Sequence, residues 1–246
     1  MKNRIIYTLL FFLTLNFAQE VCAQENLNRH WDAGKIKGVR FLPYPYYQGP
    51  TFLNDTWMLG KIEFAGGEIV DSLYIKYSSF KDELVYYNKA ISTQIVIDKT
   101  SLNGFSFIDK DGKNRIFRKY YYDDFKKSDR YFEVLSKGET DLLAYRNVEL
   151  TTTMAYMDES KILKNLDYEK NYTYYFYSPE RGYISVRMNM TAFLAKFDKT
   201  LKKPIKKLLR KSRIRVSDEA SFIDAWKVVE KEGYKVVFEN PGTSNL

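Results

Sequence analysis

His30 is the single histidine of the chain, so a Ser-His-Asp relay would have to run through it. No nucleophile motif accompanies it, and a surface imidazole is the simpler reading. With Cys22 the only cysteine, a zinc site would rest on one histidine and carboxylates, an uncommon donor set. The run Asp109-Lys110-Asp111-Gly112-Lys113-Asn114 has the look of a calcium loop. Its glycine comes too early, however, and no glutamate closes the loop at the twelfth position. Asp-Gly between two strand-like runs predicts a hairpin turn instead. The acidic pairs Asp123-Asp124 and Asp158-Glu159 supply carboxylates of the kind a glycosidase uses. That chemistry needs two acids facing each other across a cleft, and sequence neighbours on a strand point to opposite sides. No catalytic, metal or cofactor constellation stands out.

Two other patterns bear on binding. Lys202, Lys203, Lys206, Lys207, Arg210, Lys211, Arg213 and Arg215 crowd into one short stretch, with Leu201, Ile205, Leu208 and Leu209 among them at helical spacing. A basic amphipathic helix lies on an anionic membrane surface when its apolar stripe is free. It is an ordinary packed helix with solvated lysines when the stripe is buried. The aromatic runs Tyr120-Tyr121-Tyr122 and Tyr174-Tyr175-Phe176-Tyr177 offer either stacking platforms for sugars or strands with alternate rings in a core, and the core is the expectation.

The elements that would position these residues follow from periodicity. From Trp57 to Phe64 apolar and polar residues alternate, as on a half-buried strand. Ala65-Gly66-Gly67-Glu68 turns the chain. Further strands are expected around Leu73–Tyr77, Leu84–Tyr87, Ile95–Ile97, Phe105–Ile108, Arg115–Tyr120, Tyr131–Leu135 and Leu142–Tyr145, followed by a hairpin of Tyr172–Tyr177 and Tyr183–Met188. Turns every 8–12 residues or so predict an antiparallel meander. Residues 147–170 show no clear period. Phe193, Phe197 and Leu201 then recur every fourth residue, the spacing of a helix face, with Pro204 opening a fresh turn. A second helix is expected from a Ser217 cap, with Asp218 and Glu219 at its positive end, to a stop at Gly233. Tyr234–Phe238 suggests a last short strand.

The chain's start predicts export. Lys2 and Arg4 precede an apolar run from Ile5 to Phe17, and Val21-Cys22-Ala23 places small residues where a signal peptidase cuts. The run is shorter than the roughly 20 residues of a membrane-spanning helix. Cleavage after Ala23 removes Cys22, leaving a mature chain that relies on burial in a compartment where disulfides form. Gln19-Glu20-Val21 ahead of Cys22 argues against a lipid-bearing cysteine. The formal net charge of +8 and the aromatic content of 17% fit a basic, strand-rich protein drawn to anionic surfaces. An exported chain seldom meets nucleic acid.

Gly49-Pro50-Thr51-Phe52-Leu53-Asn54-Asp55-Thr56-Trp57 with Gly60-Lys61-Ile62 resembles the opening of a broad family of small exported proteins of Bacteroidota. Leu73–Tyr77, Asp82-Glu83-Leu84, and Phe132-Glu133-Val134-Leu135 with Gly138, Leu142 and Leu143 are similar to it as well. So is the basic helix followed by the helix from Ser217 to Glu232. The resemblance implies a Gram-negative periplasm or outer surface, and no activity.

These readings give an α+β fold: an antiparallel β-meander, barrel-like or sandwich, closed by two C-terminal helices. The layout is a signal peptide over 1–23, an irregular leader over 24–50, the β region over 51–188 and a helical region over 189–246. The functional expectation is an exported, non-enzymatic envelope protein that binds an envelope partner or an anionic membrane surface through its sheet or its basic helix, without a cofactor. A carboxylate-dependent glycan-active enzyme and an integral outer-membrane β-barrel are the alternatives.

Overall fold

The computed structural model describes residues 36–122 and 128–238. The described residues from Gly38 onward form one compact unit. Its described strands are β1 (Gly38–Arg40), β2 (Met58–Phe64), β3 (Ile69–Ser78), β4 (Glu83–Asn88), β5 (Thr93–Ile97), β6 (Leu102–Ile108), β7 (Asn114–Tyr122), β8 (Ser128–Ser136), β9 (Asp141–Met157), β10 (Leu163–Ser178) and β11 (Gly182–Val186). All join one sheet in the order β1-β5-β4-β3-β2-β6-β7-β8-β9-β10-β11, and every pairing between them is antiparallel. Three helices follow: α1 (Met190–Ala195), α2 (Lys202–Lys211) and α3 (Glu219–Lys231).

The expected meander is present, but not the closure. β1 and β11 end the strand order without pairing to each other, so this is one open sheet and neither a closed barrel nor a two-sheet sandwich. Three helices stand where two were expected, because the chain breaks after Ala195 and restarts at Lys202. Within the stretch read as an irregular leader, Gly38–Arg40 pairs with Ile95–Ile97 as an edge strand. Residues 147–170, where no period was legible, carry a long hairpin. β9 and β10 run 17 and 16 residues, and they pair with each other from Asp141 and Tyr177 out to Met157 and Leu163. Tyr234–Phe238 adds no strand; Val237 N–H donates instead to the carbonyl of Lys196.

The sheet bends because its connections are short. β5 and β6 are four steps apart in the strand order, about 19 Å across a flat sheet at ~4.8 Å per strand. Only Asp98–Ser101 join them, and Lys99–Ser101 form a tight 3₁₀ turn that rises ~2 Å per residue. A flat sheet would leave that link far too short.

Strand parity sorts side chains onto two faces. One face carries Ile62, Ile75, Tyr77, Phe105, Phe117 and Tyr131, all 2% exposed or less. Phe105 and Phe117 stack at 4.7 Å, and Tyr131 meets Phe105 edge-on. Farther along the same face Leu142, Ala144, Tyr174, Phe176 and Val186 receive the helices through Phe193, Phe197, Ile205, Leu209, Phe222, Trp226 and Val229. Among the described residues, no helix covers the opposite face.

A cationic helix face as candidate functional site

α2 owes its position to two side chains. Ile205 and Leu209 are fully buried in the core beneath the helices, one turn apart on the same side. Pro204 falls in the first helical turn, where its missing N–H costs no hydrogen bond. Arg210 and Lys211 lie in the last turn, where positive charge complements the helix dipole.

At about 100° per residue, Lys203, Lys206, Lys207, Arg210 and Lys211 fall within an arc of about 140° opposite Ile205 and Leu209. All five are exposed, as are Arg213 and Arg215 beyond the helix end, whereas Lys202 lies to one side and is half-buried. None of the eight forms an ion pair or a side-chain hydrogen bond with another described residue. Of the eight cations read from the sequence, the structure gathers five on one outward arc of α2. The apolar stripe of the same helix is spent inside the protein, so α2 cannot lay it into a bilayer while the fold is intact. What remains is electrostatic contact with a surface of opposite charge.

α3 is tied to the sheet by charge as well as by packing. Asp218, one residue past the expected Ser217, is its N-cap. The Asp218 carboxylate accepts from Ser221 N–H, and Ser221 Oγ in turn accepts from Asp218 N–H, satisfying donors that a helix start leaves bare. Glu219 in the first turn accepts from Arg146 at 2.6 Å, from the Tyr174 hydroxyl at 2.9 Å and from Lys113 at 3.1 Å. Arg146 also holds Glu133 at 2.5 Å, and Arg115 bridges Glu133 and Asp109. Arg146 and Glu133 are 3% and 1% exposed. Burial alone would raise the Glu219 carboxyl, but the hydrogen bond and charge of Arg146, with Tyr174 and Lys113, outweigh it and hold the group at about 2. This belt is a clamp: each acid in it is engaged by a cation.

The other candidates resolve into structure. Asp109 accepts from the N–H groups of Asp111 and Lys113 and from Arg115, with Gly112 at a φ of 76°. The calcium-like run is a hairpin turn. Asp158 closes the tip between β9 and β10, accepting from Ser160 and Ile162 N–H and pairing with Lys164. No group of three or more His, Cys, Asp or Glu is placed to hold a metal ion among the described residues, and no described helix is long and apolar enough to cross a membrane. Cys22, His30 and Asp123-Asp124 lie outside the described residues.

The two aromatic runs divide by parity. Tyr174 and Phe176 enter the core under the helices. Tyr120, Tyr122, Tyr175 and Tyr177 meet on the uncovered face around Phe132, together with Tyr183. There Tyr120 packs on Tyr177 at 5.0 Å, Tyr122 on Tyr183 at 5.0 Å, and Tyr177 on Tyr183 at 4.6 Å. Burial, with neighbouring Tyr177, Tyr120 and Tyr122, raises the Tyr183 hydroxyl well above its usual range.

The clamp carried a signal that sequence reasoning passed over. Glu133 sits in the middle of the run Tyr131–Leu135 and Arg146 directly follows the apolar run Leu142–Tyr145, and charges at inward strand positions require partners. No family model, no curated protein and no solved structure matches this chain.

Proposed function

We propose that the chain is an exported, non-enzymatic envelope protein that docks on an anionic membrane surface through the outward face of α2. The observation that carries this reading is the set of five exposed cations on one helix arc, unpaired while the acids of the clamp are spent elsewhere. Patches of this kind gain roughly 1 kcal/mol per Lys or Arg at an anionic bilayer. The N-terminal pattern of positive start, short apolar run and small residues supports export, and the likeness to exported Bacteroidota proteins supports a Gram-negative envelope. The bend forced by the β5–β6 link supports reading that end of the sheet as partly rolled, in the manner of a barrel. The filled aromatic interior, with Tyr77, Phe105 and Phe117 fully packed, favours a scaffold that presents its surfaces.

Co-sedimentation with phosphatidylglycerol vesicles and with phosphatidylcholine vesicles tests the reading. Binding is expected to the anionic vesicles alone at low salt, with release near 1 M salt, where the screening length falls to about 3 Å. Absence of binding at low salt overturns it.

A further inference from the structure

On the uncovered face, β2, β6, β7 and β8 form a cleft of about 490 Å³, within the ~300–1,000 Å³ range of small-ligand sites. Register explains its shape. Glu63, Gly104 and Arg118 stand side by side across three strands. Because Gly104 has no side chain, the Arg118 guanidinium lies across it and reaches Glu63 at 2.5 Å. A Cβ at Gly104 would come within 2.9 Å of Arg118 Nη1. Ile116 and Val134 supply an apolar floor, and Tyr120 and Lys137 line the cleft as well. The Tyr120 hydroxyl is 3.4 Å from Asp141, which also accepts from Lys137 at 2.6 Å.

We infer that this cleft binds a neutral sugar unit of a glycan. The pairings decide the charge. Arg118 is matched by Glu63, Lys137 by Asp141, and Lys119, the third cation lining the cleft, by Asp129 at 3.9 Å, so a phosphate or carboxylate entering the cleft would meet an acid beside each of these cations. The donor and acceptor supply decides the rest. Arg118 has N–H groups beyond the one given to Glu63, the Glu63 carboxylate accepts, and Tyr120 does both. A pyranose presents hydroxyls that donate and accept around its rim and an apolar C–H face, which matches polar walls over Ile116 and Val134. The Arg118–Glu63 pair is partly exposed, at 41% and 28%, so hydroxyls can reach it. This inference is independent of the α2 face, which selects for negative charge.

The test is an amide-resolved NMR titration of the purified protein with maltohexaose, cellohexaose and mannohexaose at millimolar concentration, and with a galacturonate hexamer as the charged probe. The expected result is binding of at least one neutral hexasaccharide, with shifts at Ile116, Arg118, Tyr120 and Val134. Arg118→Gln should weaken it at least about tenfold, the usual scale for loss of a charged hydrogen-bonding group, with the thermal midpoint retained. Lys137→Gln, at a side chain 72% exposed, should weaken it severalfold and leave vesicle binding unchanged. Three results overturn the inference: no neutral hexasaccharide shifts these amides; binding survives both substitutions unchanged; or only the galacturonate binds, and its binding disappears when the α2 cations are neutralised.

Discussion

Neutralising the outward arc of α2 separates docking from solvation. The variant is Lys203→Gln, Lys206→Gln, Lys207→Gln, Arg210→Gln and Lys211→Gln. At ~1 kcal/mol per cation at an anionic surface, five cations set a ceiling of ~5 kcal/mol. Lys207, Lys203 and Lys211 lie within about 40° of the pole opposite Ile205 and Leu209, while Arg210 and Lys206 flank it at about 60° and about 100°. Counting the flanking pair at half weight leaves ~4 kcal/mol, a factor of ~1,000 in the vesicle partition coefficient. Glutamine nearly equals lysine and arginine in helix propensity. Removing Arg210 and Lys211 from the last turn forfeits ~0.3–1 kcal/mol each of dipole stabilisation, so the thermal midpoint should fall by no more than ~8 °C. The assay is vesicle co-sedimentation at low ionic strength, with circular dichroism melting on the same samples. A folded variant that binds phosphatidylglycerol vesicles within about threefold of the wild type removes α2 as the docking face.

Three further outcomes follow from the clamp and the turns. Glu219, held at about 2 against an ordinary 4.5, contributes stability that is present above pH 4.5 and lost as pH falls toward 2. Urea unfolding should therefore show the stability gap between wild type and Glu219→Gln closing over that window, and a gap that persists on acidification contradicts the clamp. Asp82 has the opposite sign: burial raises its carboxyl despite Lys99 and the Tyr77 hydroxyl, so its ionisation in the folded state is a cost that grows as pH rises. Asp82→Asn keeps an acceptor for Tyr77 and Tyr131 N–H and suits the φ of 55°, so it should gain on the wild type in unfolding titrations as pH rises from 4 toward neutrality, and a loss that deepens instead refutes the sign. At Gly49 the backbone has a φ of 94°, and an added Cβ would stand 2.0 Å from the Tyr168 carbonyl oxygen. Gly49→Ala should destabilise the fold by at least ~2 kcal/mol and speed exchange of the Tyr168 amide, which donates to Gln48 at 2.7 Å; unchanged exchange would show that this contact does not tether the β9–β10 hairpin.

The strands that alternate cleanly, such as Met58–Phe64 and the Phe105–Ile108 part of β6, were legible because each keeps one buried and one open face. β9 and β10 were not, because beyond Asn147 and Asn171 the only strand each pairs with is the other, apart from a single bridge of Asp167 to Gln48. Their side chains there have little core to face: Met154 and Leu163 are 89% and 69% exposed, so no burial imprinted a period of two. The basic patch was legible because helical spacing is local. The cleft was not, because Glu63, Gly104 and Arg118 become neighbours only through the β2–β6–β7 register, which no local pattern encodes. The open edges escaped for a similar reason: closure depends on whether β1 meets β11, at the two ends of the strand order.

The two surfaces stand in a fixed relation. α2 packs on one face of the sheet by Ile205 and Leu209 and turns its cations away from that face. Arg118, Ile116, Val134 and Tyr120 project from the other face, where no described helix intervenes. The sheet between them is stiffened by the aromatic packing and by the clamp that joins β7, β8 and β9 to α3. A chain seated on an anionic surface by α2 therefore holds the cleft on the side facing away from that surface. Docking and sugar binding can then occur together on one molecule, because neither occupies the other's approach. Vesicle-bound protein should titrate with the neutral hexasaccharide as the free protein does. Competition between vesicles and sugar would refute this arrangement.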